Sequence, residues 1–98
     1  MIVHIVLFKW KKDASKKEID SIIEDLRGLR HKLHGIVGLR SGHNFSDWSD
    51  GYTNALVVSF KDKESLENYR TNPEHLKIVE RIKKIEGHSI GIDFEDHS

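Results

Sequence analysis

The first segment with the pattern of a β-strand, Ile2–Trp10, is apolar on both of its faces. Side chains alternate between the two faces of a strand. One face of this segment carries Val3, Ile5 and Leu7. The other face carries His4, Val6, Phe8 and Trp10. Because such a strand suits a sheet that is buried on both sides, the fold must supply a covering layer above and below it.

A helix is predicted after this strand. Ser15 and Glu18 have the spacing of a capping box, with Ser15 as the N-cap. Apolar residues then recur at three- and four-residue spacing, which predicts one amphipathic helix that Gly35 is placed to end. The apolar residues of this stripe are Ile19, Ile22, Ile23, Leu26, Leu29 and Leu33.

Three more strands are predicted, over residues 36–45, 52–60 and 88–94. The first of them contains two glycines, which are typical of bulges. Asp50-Gly51 is a turn signal between the first and second of these strands. In the second, Asn54, Leu56, Val58 and Phe60 share one face, and Ala55 and Val57 lie on the other.

The only proline of the chain, Pro73, divides the second helical region into two segments. Asp62 is the predicted N-cap of the first segment. A residue before proline is pushed out of the helical conformation, so this segment is expected to end near Thr71. The second segment begins with Asn72 as N-cap and Pro73 as its first helical residue, and Gly87 is predicted to end it.

The order strand, helix, strand, strand, broken helix, strand predicts a ferredoxin-like α+β fold with a four-stranded antiparallel sheet. Residues 1–98 are expected to form a single domain. The helices can cover only one face of the sheet, so an apolar patch on the other face predicts a homodimer packed sheet to sheet. The predicted interface residues are Val3, Ile5, Leu7, Ala55 and Val57.

Composition excludes several classes of partner. The chain has 16 basic and 16 acidic residues and no block of like charges, so no nucleic-acid partner is expected. No apolar run is long enough to span a membrane, and the first apolar segment lacks the features of a signal peptide. The expected location is therefore the cytoplasm, and the lack of cysteine agrees with a reducing compartment.

Tyr69 and His75 flank the proline break and form the candidate acid–base pair. His75 lies in the first turn of its helix, where the helix dipole favours the neutral imidazole. A neutral base beside a phenol suits proton abstraction next to a carbonyl. The alternative interpretation is structural, in which the two side chains satisfy each other or backbone groups near the break. The same alternative applies to His4 and Asn54.

No metal or cofactor is expected. His31 and His34 are one helical turn apart, which is a spacing that a metal can bridge. Their neighbours Arg30 and Lys32 indicate a solvated helix face instead.

Together, several segments resemble the stress-responsive A/B barrel (Dabb) family over residues 2–95. The resemblance is carried by residues 3–9, residues 51–56, Tyr69 ahead of residues 72–75, and residues 92–94. It implies a dimeric α+β barrel, in which the sheets of two ferredoxin-like protomers face each other.

In a polyketide cyclase of this family, a tyrosine and a histidine at the helix break are the acid–base pair, within a pocket between sheet and helices. The matching positions are Tyr69 and His75, and His4 and Asn54 match further pocket positions. Asn54 and Asn72 stand where that cyclase has histidines. The remaining residues expected to line the pocket are Val6, Phe8, Leu56 and Val79.

The function expected from this resemblance is binding of a small, largely apolar ligand with a carbonyl or phenol group, with acid–base chemistry that needs no cofactor. The alternative is a non-enzymatic stress-responsive binding or interaction protein, whose pocket is filled by its own side chains. A cofactor-free monooxygenase-like barrel is a third possibility.

Overall fold

A computed structural model describes residues 1–97 and has the predicted ferredoxin-like α+β fold. Its strands are β1 (Ile2–Trp10), β2 (Ile36–His43), β3 (Asn54–Phe60) and β4 (Glu86–Glu95). Its helices are α1 (Lys16–Gly28), α2 (Lys63–Thr71) and α3 (Pro73–Ile85), with a 3₁₀ turn at Leu29–His31. None of these helices is long and apolar enough to cross a membrane.

The four strands form one antiparallel sheet in the order β2-β3-β1-β4. Val6 of β1 lies opposite Leu56 of β3 and Gly91 of β4, so these three positions share the face that packs against the helices, here called the inner face. The predicted bounds of β1 are confirmed at both ends. Since β4 is an edge strand, it has a neighbour on one side only.

The helix starts follow the predicted capping chemistry. The Ser15 hydroxyl accepts a hydrogen bond from the Glu18 amide at 3.0 Å. The Asp62 carboxylate accepts one from the Ser65 amide at 2.8 Å. The side-chain oxygen of Asn72 accepts one from the amide two residues on, at 2.9 Å, and α3 begins at Pro73. The break at Asn72-Pro73 is therefore confirmed. Each of the three predicted N-caps accepts a hydrogen bond from an amide at the start of its helix.

The end of the first helix was predicted wrongly. The α-helix stops at Gly28, a weak helix former, and the Leu29–His31 turn follows instead of a continuous helix to Gly35. Gly35 has a φ of +87° and passes so close to α2 that a Cβ there would lie 2.3 Å from the Ser65 hydroxyl oxygen. Gly35 is thus needed where the chain turns into β2, and it does not cap α1.

Three strand limits also differ from the prediction. β2 ends at His43 rather than residue 45, because the Asn44 side chain bonds the Tyr52 carbonyl and the Ser46 amide and turns the chain. For the same reason β3 starts at Asn54 rather than residue 52. β4 starts at Glu86, directly after α3 and two residues before the predicted start at residue 88.

Gly87 does not end α3, as predicted, but lies within β4. α3 already ends at Ile85, whose carbonyl accepts a hydrogen bond from the Lys11 amide at 2.8 Å. A Cβ at Gly87 would lie 3.2 Å from the Lys9 carbonyl oxygen, so glycine allows the close approach of two strands here.

The opposite face of the sheet, here called the outer face, carries apolar side chains from three strands. It includes all five residues predicted for the interface. Three residues of β4 lie opposite Leu7, Ile5 and Val3 and extend the patch. These are Ile90, Ile92 and Phe94, which are 36%, 46% and 45% exposed.

Candidate functional site

A cavity of about 260 Å³ lies between the inner face of the sheet and α3, partly open to solvent. Its lining is mainly apolar, and polar groups lie at its ends. It includes seven of the eight residues predicted for the site, which are His4, Val6, Phe8, Leu56, Tyr69, His75 and Val79. Its other lining residues are Leu26, Arg70, Ile82, Lys83, Glu86 and Ser89.

Tyr69 is the most deeply buried polar side chain of this cavity, with 2% of its surface exposed. It lies in the last turn of α2, just before the proline break. Its ring centroid is 4.2 Å from that of His75, 5.2 Å from that of Phe60 and 5.9 Å from that of His4. Among residues 1–97, no group accepts a hydrogen bond from its hydroxyl. Burial raises the pKa of Tyr69 to about 12, so the phenol stays a proton donor at neutral pH.

His75 is half-buried in the first turn of α3. Its Nδ1 lies 3.3 Å from the Arg70 carbonyl oxygen, which can only accept, so Nδ1 carries the proton. Nε2 of the neutral ring is then free to accept a proton. Burial is the main cause that lowers the pKa of His75, with smaller contributions from the charges of His4 and Arg70. The ring is therefore a neutral base at physiological pH.

His4 is held by a carboxylate from the neighbouring strand. Its Nδ1 lies 2.5 Å from Oδ1 of Asp93, which faces it across the β1–β4 pair. The other oxygen of Asp93 accepts a hydrogen bond from Arg70 at the end of α2. As for His75, this arrangement leaves Nε2 of His4 as the acceptor. Burial and, secondarily, the Arg70 charge lower the pKa of His4.

Asn54 is the one predicted site residue that does not line the cavity. It is buried, and its side-chain oxygen accepts hydrogen bonds from the Trp10 indole at 2.8 Å and from the Thr53 hydroxyl at 3.1 Å. With these partners the side-chain oxygen of Asn54 is satisfied by neighbouring donors.

Two residues of the site, Asp93 and Arg70, were not predicted. The alternation of residues 88–94 places Asp93 on one face of its strand, but only the β1–β4 register shows that this face also carries His4. Arg70 directly follows Tyr69, and its carbonyl and guanidinium contact His75 and Asp93 respectively. No group of three or more metal-ligating side chains is found among the residues that the structure describes.

Chemically, the cavity combines one buried donor with two acceptors. The Tyr69 hydroxyl can donate to a carbonyl or oxyanion, and Nε2 of His75 and of His4 can each take a proton. This set suits a ligand that carries an acceptor oxygen close to an acidic proton.

Comparison with protein families matches residues 2–96 to the family described as Stress responsive A/B Barrel Domain. A stress-response A/B barrel domain-containing protein of Arabidopsis thaliana is 33% identical over 81 residues. The match covers 81% of this chain and 30% of that protein, so the chain spans less than a third of this relative's length.

Among solved structures, At3g17210 of Arabidopsis thaliana has a TM-score of 0.90 at 21% identity, covering 100% of this chain and 97% of that one. The hydroxynitrile lyase of Passiflora edulis has a TM-score of 0.89 at 22% identity, covering 99% and 94%. A protein of unknown function from Thermobifida fusca, described as dimeric and ferredoxin-like, has a TM-score of 0.85 at 19% identity, covering 97% and 90%. At these identities the likeness concerns the fold.

Proposed function

The chain belongs to the stress-responsive A/B barrel family, and on this premise we propose that it forms a homodimer whose cavities bind a small, largely apolar carbonyl or phenol compound. We propose further that Tyr69 and His75 transfer protons on that compound without a cofactor. One observation carries the proposal: the buried Tyr69 hydroxyl has no hydrogen-bond partner among residues 1–97 and borders a cavity that also contains two neutral imidazoles.

The unpartnered hydroxyl supports ligand binding. A buried donor that lacks an acceptor costs about 1–3 kcal/mol, and native proteins satisfy nearly all such groups. A carbonyl oxygen of a ligand supplies the missing acceptor. An apolar cavity of about 150 Å³ accepts benzene, so one of about 260 Å³ has room for an aromatic ring with a few substituents. This open volume favours the ligand-binding interpretation over the alternative of a filled pocket.

The arrangement supports proton abstraction next to the carbonyl. Nε2 of His75 takes a proton from the carbon beside the carbonyl, and the electron pair of the broken C–H bond becomes that of an enolate. The negative charge collects on the carbonyl oxygen, where the Tyr69 hydroxyl stabilises it by donating a hydrogen bond. Return of the proton from His75 to carbon or oxygen completes the cycle. His4 also lines the cavity, and its Nε2 can accept a hydrogen bond from a hydroxyl group of the ligand.

A shared fold with the Passiflora edulis hydroxynitrile lyase agrees with an enzymatic role for such a cavity. In the cleavage of a hydroxynitrile, a base takes the proton from the hydroxyl on the carbon that bears the cyano group. That carbon becomes a carbonyl as the C–CN bond breaks, and the released cyanide takes up the proton. The donor and acceptor set of Tyr69 and His75 suits that reaction class as well as enolisation.

The outer face supports the homodimer. Two layers are needed to cover β1, and the helices of one chain supply only the inner one. The predicted interface residues Val3, Ile5, Leu7, Ala55 and Val57 form one surface with Ile90, Ile92 and Phe94. A second copy of the same face would bury this apolar surface in a symmetric contact. Structural neighbours of this chain are described as dimeric and ferredoxin-like.

Deuterium exchange tests the proton transfer without knowledge of the natural ligand. The probe is 4-hydroxyacetophenone in D₂O, whose methyl protons exchange only through the enol or enolate and are followed by proton NMR. We expect the unaltered protein to accelerate this exchange, and His75→Ala to reduce it to the buffer rate while the probe still binds. His31→Ala, which changes an exposed histidine outside the cavity, is the control and should leave the rate unchanged.

Two results would overturn the proposal. If the probe shows no chemical-shift change on titration with the unaltered protein, ligand binding of this class is refuted. If the probe binds and His75→Ala exchanges it as fast as the unaltered protein does, His75 is not the base.

A further inference from the structure

The inner face of β4 carries three small or polar residues in a row, Ser89, Gly91 and Asp93. Val6, which lines the floor of the cavity, lies directly opposite Gly91 in the β1–β4 pair. β4 is the edge strand on this side, so no other strand formed by residues 1–97 lies beyond it. At Gly91 this edge strand consequently adds no side chain to the wall of the cavity.

Gly91 leaves a gap at this position. A Cβ built on it meets no atom within 4 Å outside its own chain neighbours, although its partner Val6 is half-buried. Residues four apart in a strand are separated by about 13 Å, so Ser89 and Asp93 are that far apart with no side chain between them on the inner face. Gly91 is exposed, so the space above it is open to solvent, and its pairing partner Val6 lines the cavity.

Polar residues stand at both ends of the gap. At one end Asp93 is bound by His4 and by Arg70 of α2, which joins strand and helix across the cavity. At the other end Ser89 lines the cavity, whose lining also includes Lys83 and Glu86. The stretch of β4 without a side chain on the inner face lies between these ends, at Gly91.

We infer that ligands reach the cavity across β4 at Gly91, and that the missing side chain admits ligands longer than the cavity. This inference rests on the proposed function and adds a ligand class to it. The ligand has an apolar head with a carbonyl, which reaches Tyr69, and an extension of several atoms that leaves the cavity over Gly91 between polar groups. Gly91 then determines which ligand lengths are accepted.

The test compares Gly91→Val and Gly91→Ala with two probes, 4-hydroxyacetophenone and the longer 4-hydroxyhexanophenone, titrated by NMR. We expect Gly91→Val to weaken binding of the longer probe about tenfold or more, because its side chain occupies the open space that the extension of the probe would pass through. Binding of the shorter probe should change much less, and Gly91→Ala should lie between the unaltered protein and the valine variant. Gly38→Val is the matched control, since a Cβ there also meets no atom within 4 Å and β2 is the opposite edge strand.

Stability separates blocking from misfolding. Valine is favoured over glycine in strands, so Gly91→Val should unfold at a urea concentration equal to or above that of the unaltered protein. Equal affinity of this variant and the unaltered protein for the longer probe would overturn the inference. Failure of the unaltered protein to bind either probe would instead refute the proposed function, and Gly91→Ala gives the same comparison if the valine variant does not fold.

Discussion

Replacing Tyr69 by phenylalanine is expected to stabilise the ligand-free protein. The substitution removes one hydroxyl group that has no hydrogen-bond partner among the described residues. It retains the aromatic ring, with its centroid 5.2 Å from that of Phe60 and 4.2 Å from that of His75. The change therefore isolates the cost of burying a donor from the benefit of packing a ring.

The magnitude follows from these contacts. A buried polar group without a partner costs about 1–3 kcal/mol. The hydroxyl is itself inaccessible to water, but small movements of the side chains around the partly open cavity can bring water to it, which offsets part of that cost. We expect a gain of about 1 kcal/mol in the free energy of unfolding, which corresponds to about 4–8 °C in Tm for a domain of this size.

The assay is urea denaturation at one protein concentration, because unfolding of a dimer depends on concentration. Tyr52→Phe is the control, since Tyr52 is the only other tyrosine. The Tyr52 hydroxyl and Nδ1 of His88 share a hydrogen bond of 2.7 Å, so removal of the hydroxyl is expected to destabilise the protein by about 0.5 kcal/mol. The two tyrosine variants should thus move in opposite directions.

The same substitution is expected to weaken ligand binding although it stabilises the protein. Without its hydroxyl, Tyr69→Phe should bind 4-hydroxyacetophenone about 2- to 10-fold more weakly, because the carbonyl loses its donor. Stability that rises while affinity falls is the pattern expected when a polar group is kept for function. A destabilisation of Tyr69→Phe as large as that of Tyr52→Phe would refute the reasoning, since it would mean that the Tyr69 hydroxyl is already satisfied.

Two further predictions concern pH and assembly. His4 and His75 have a pKa below the value of 6.5 that they take when unfolded, so stability should be full above pH 6.5 and decline as the pH falls towards the folded-state pKa values. Urea titrations at pH 7.5 and 5.5 check this. If His75→Gln loses as much stability between these two pH values as the unaltered protein does, His75 does not contribute to the pH dependence. Ile92→Lys should convert the dimer to monomers in sedimentation at micromolar concentration, whereas Leu76→Lys, on α3 and equally exposed, should not. A monomeric unaltered protein would refute the homodimer.

Features that depend on neighbouring residues were predictable from sequence. The Asn72 cap, the Pro73 helix start and the alternation of β1 each rest on conformational preferences within a few residues. The structure confirms all three. The role of Gly35 was not predictable in this way, because it depends on the close approach of Gly35 to Ser65, and these residues are thirty positions apart in the sequence.

The same division runs through the candidate site. Tyr69 and His75 are six residues apart, and the hydrogen bond from His75 to the Arg70 carbonyl spans the break itself. Their proximity therefore follows from the local chain path around Pro73. His4 and Asp93 lie at opposite ends of the chain, and only strand register brings them together. Asn54 was predicted on the correct face of its strand, but it does not line the cavity. Its hydrogen bond with Trp10 depends on packing and is not visible in the sequence.

In the proposed site, Tyr69 and His75 are brought together by the α2–α3 break, whereas β4 supplies Gly91 and the Asp93 carboxylate that binds His4. The two parts are connected, because Arg70 bonds Asp93 through its guanidinium and His75 through its carbonyl. The two proposals thus place proton transfer on the helices and ligand entry on the edge strand. Substitution of Gly91 is accordingly expected to change ligand preference while the proposed chemistry of Tyr69 and His75 is retained.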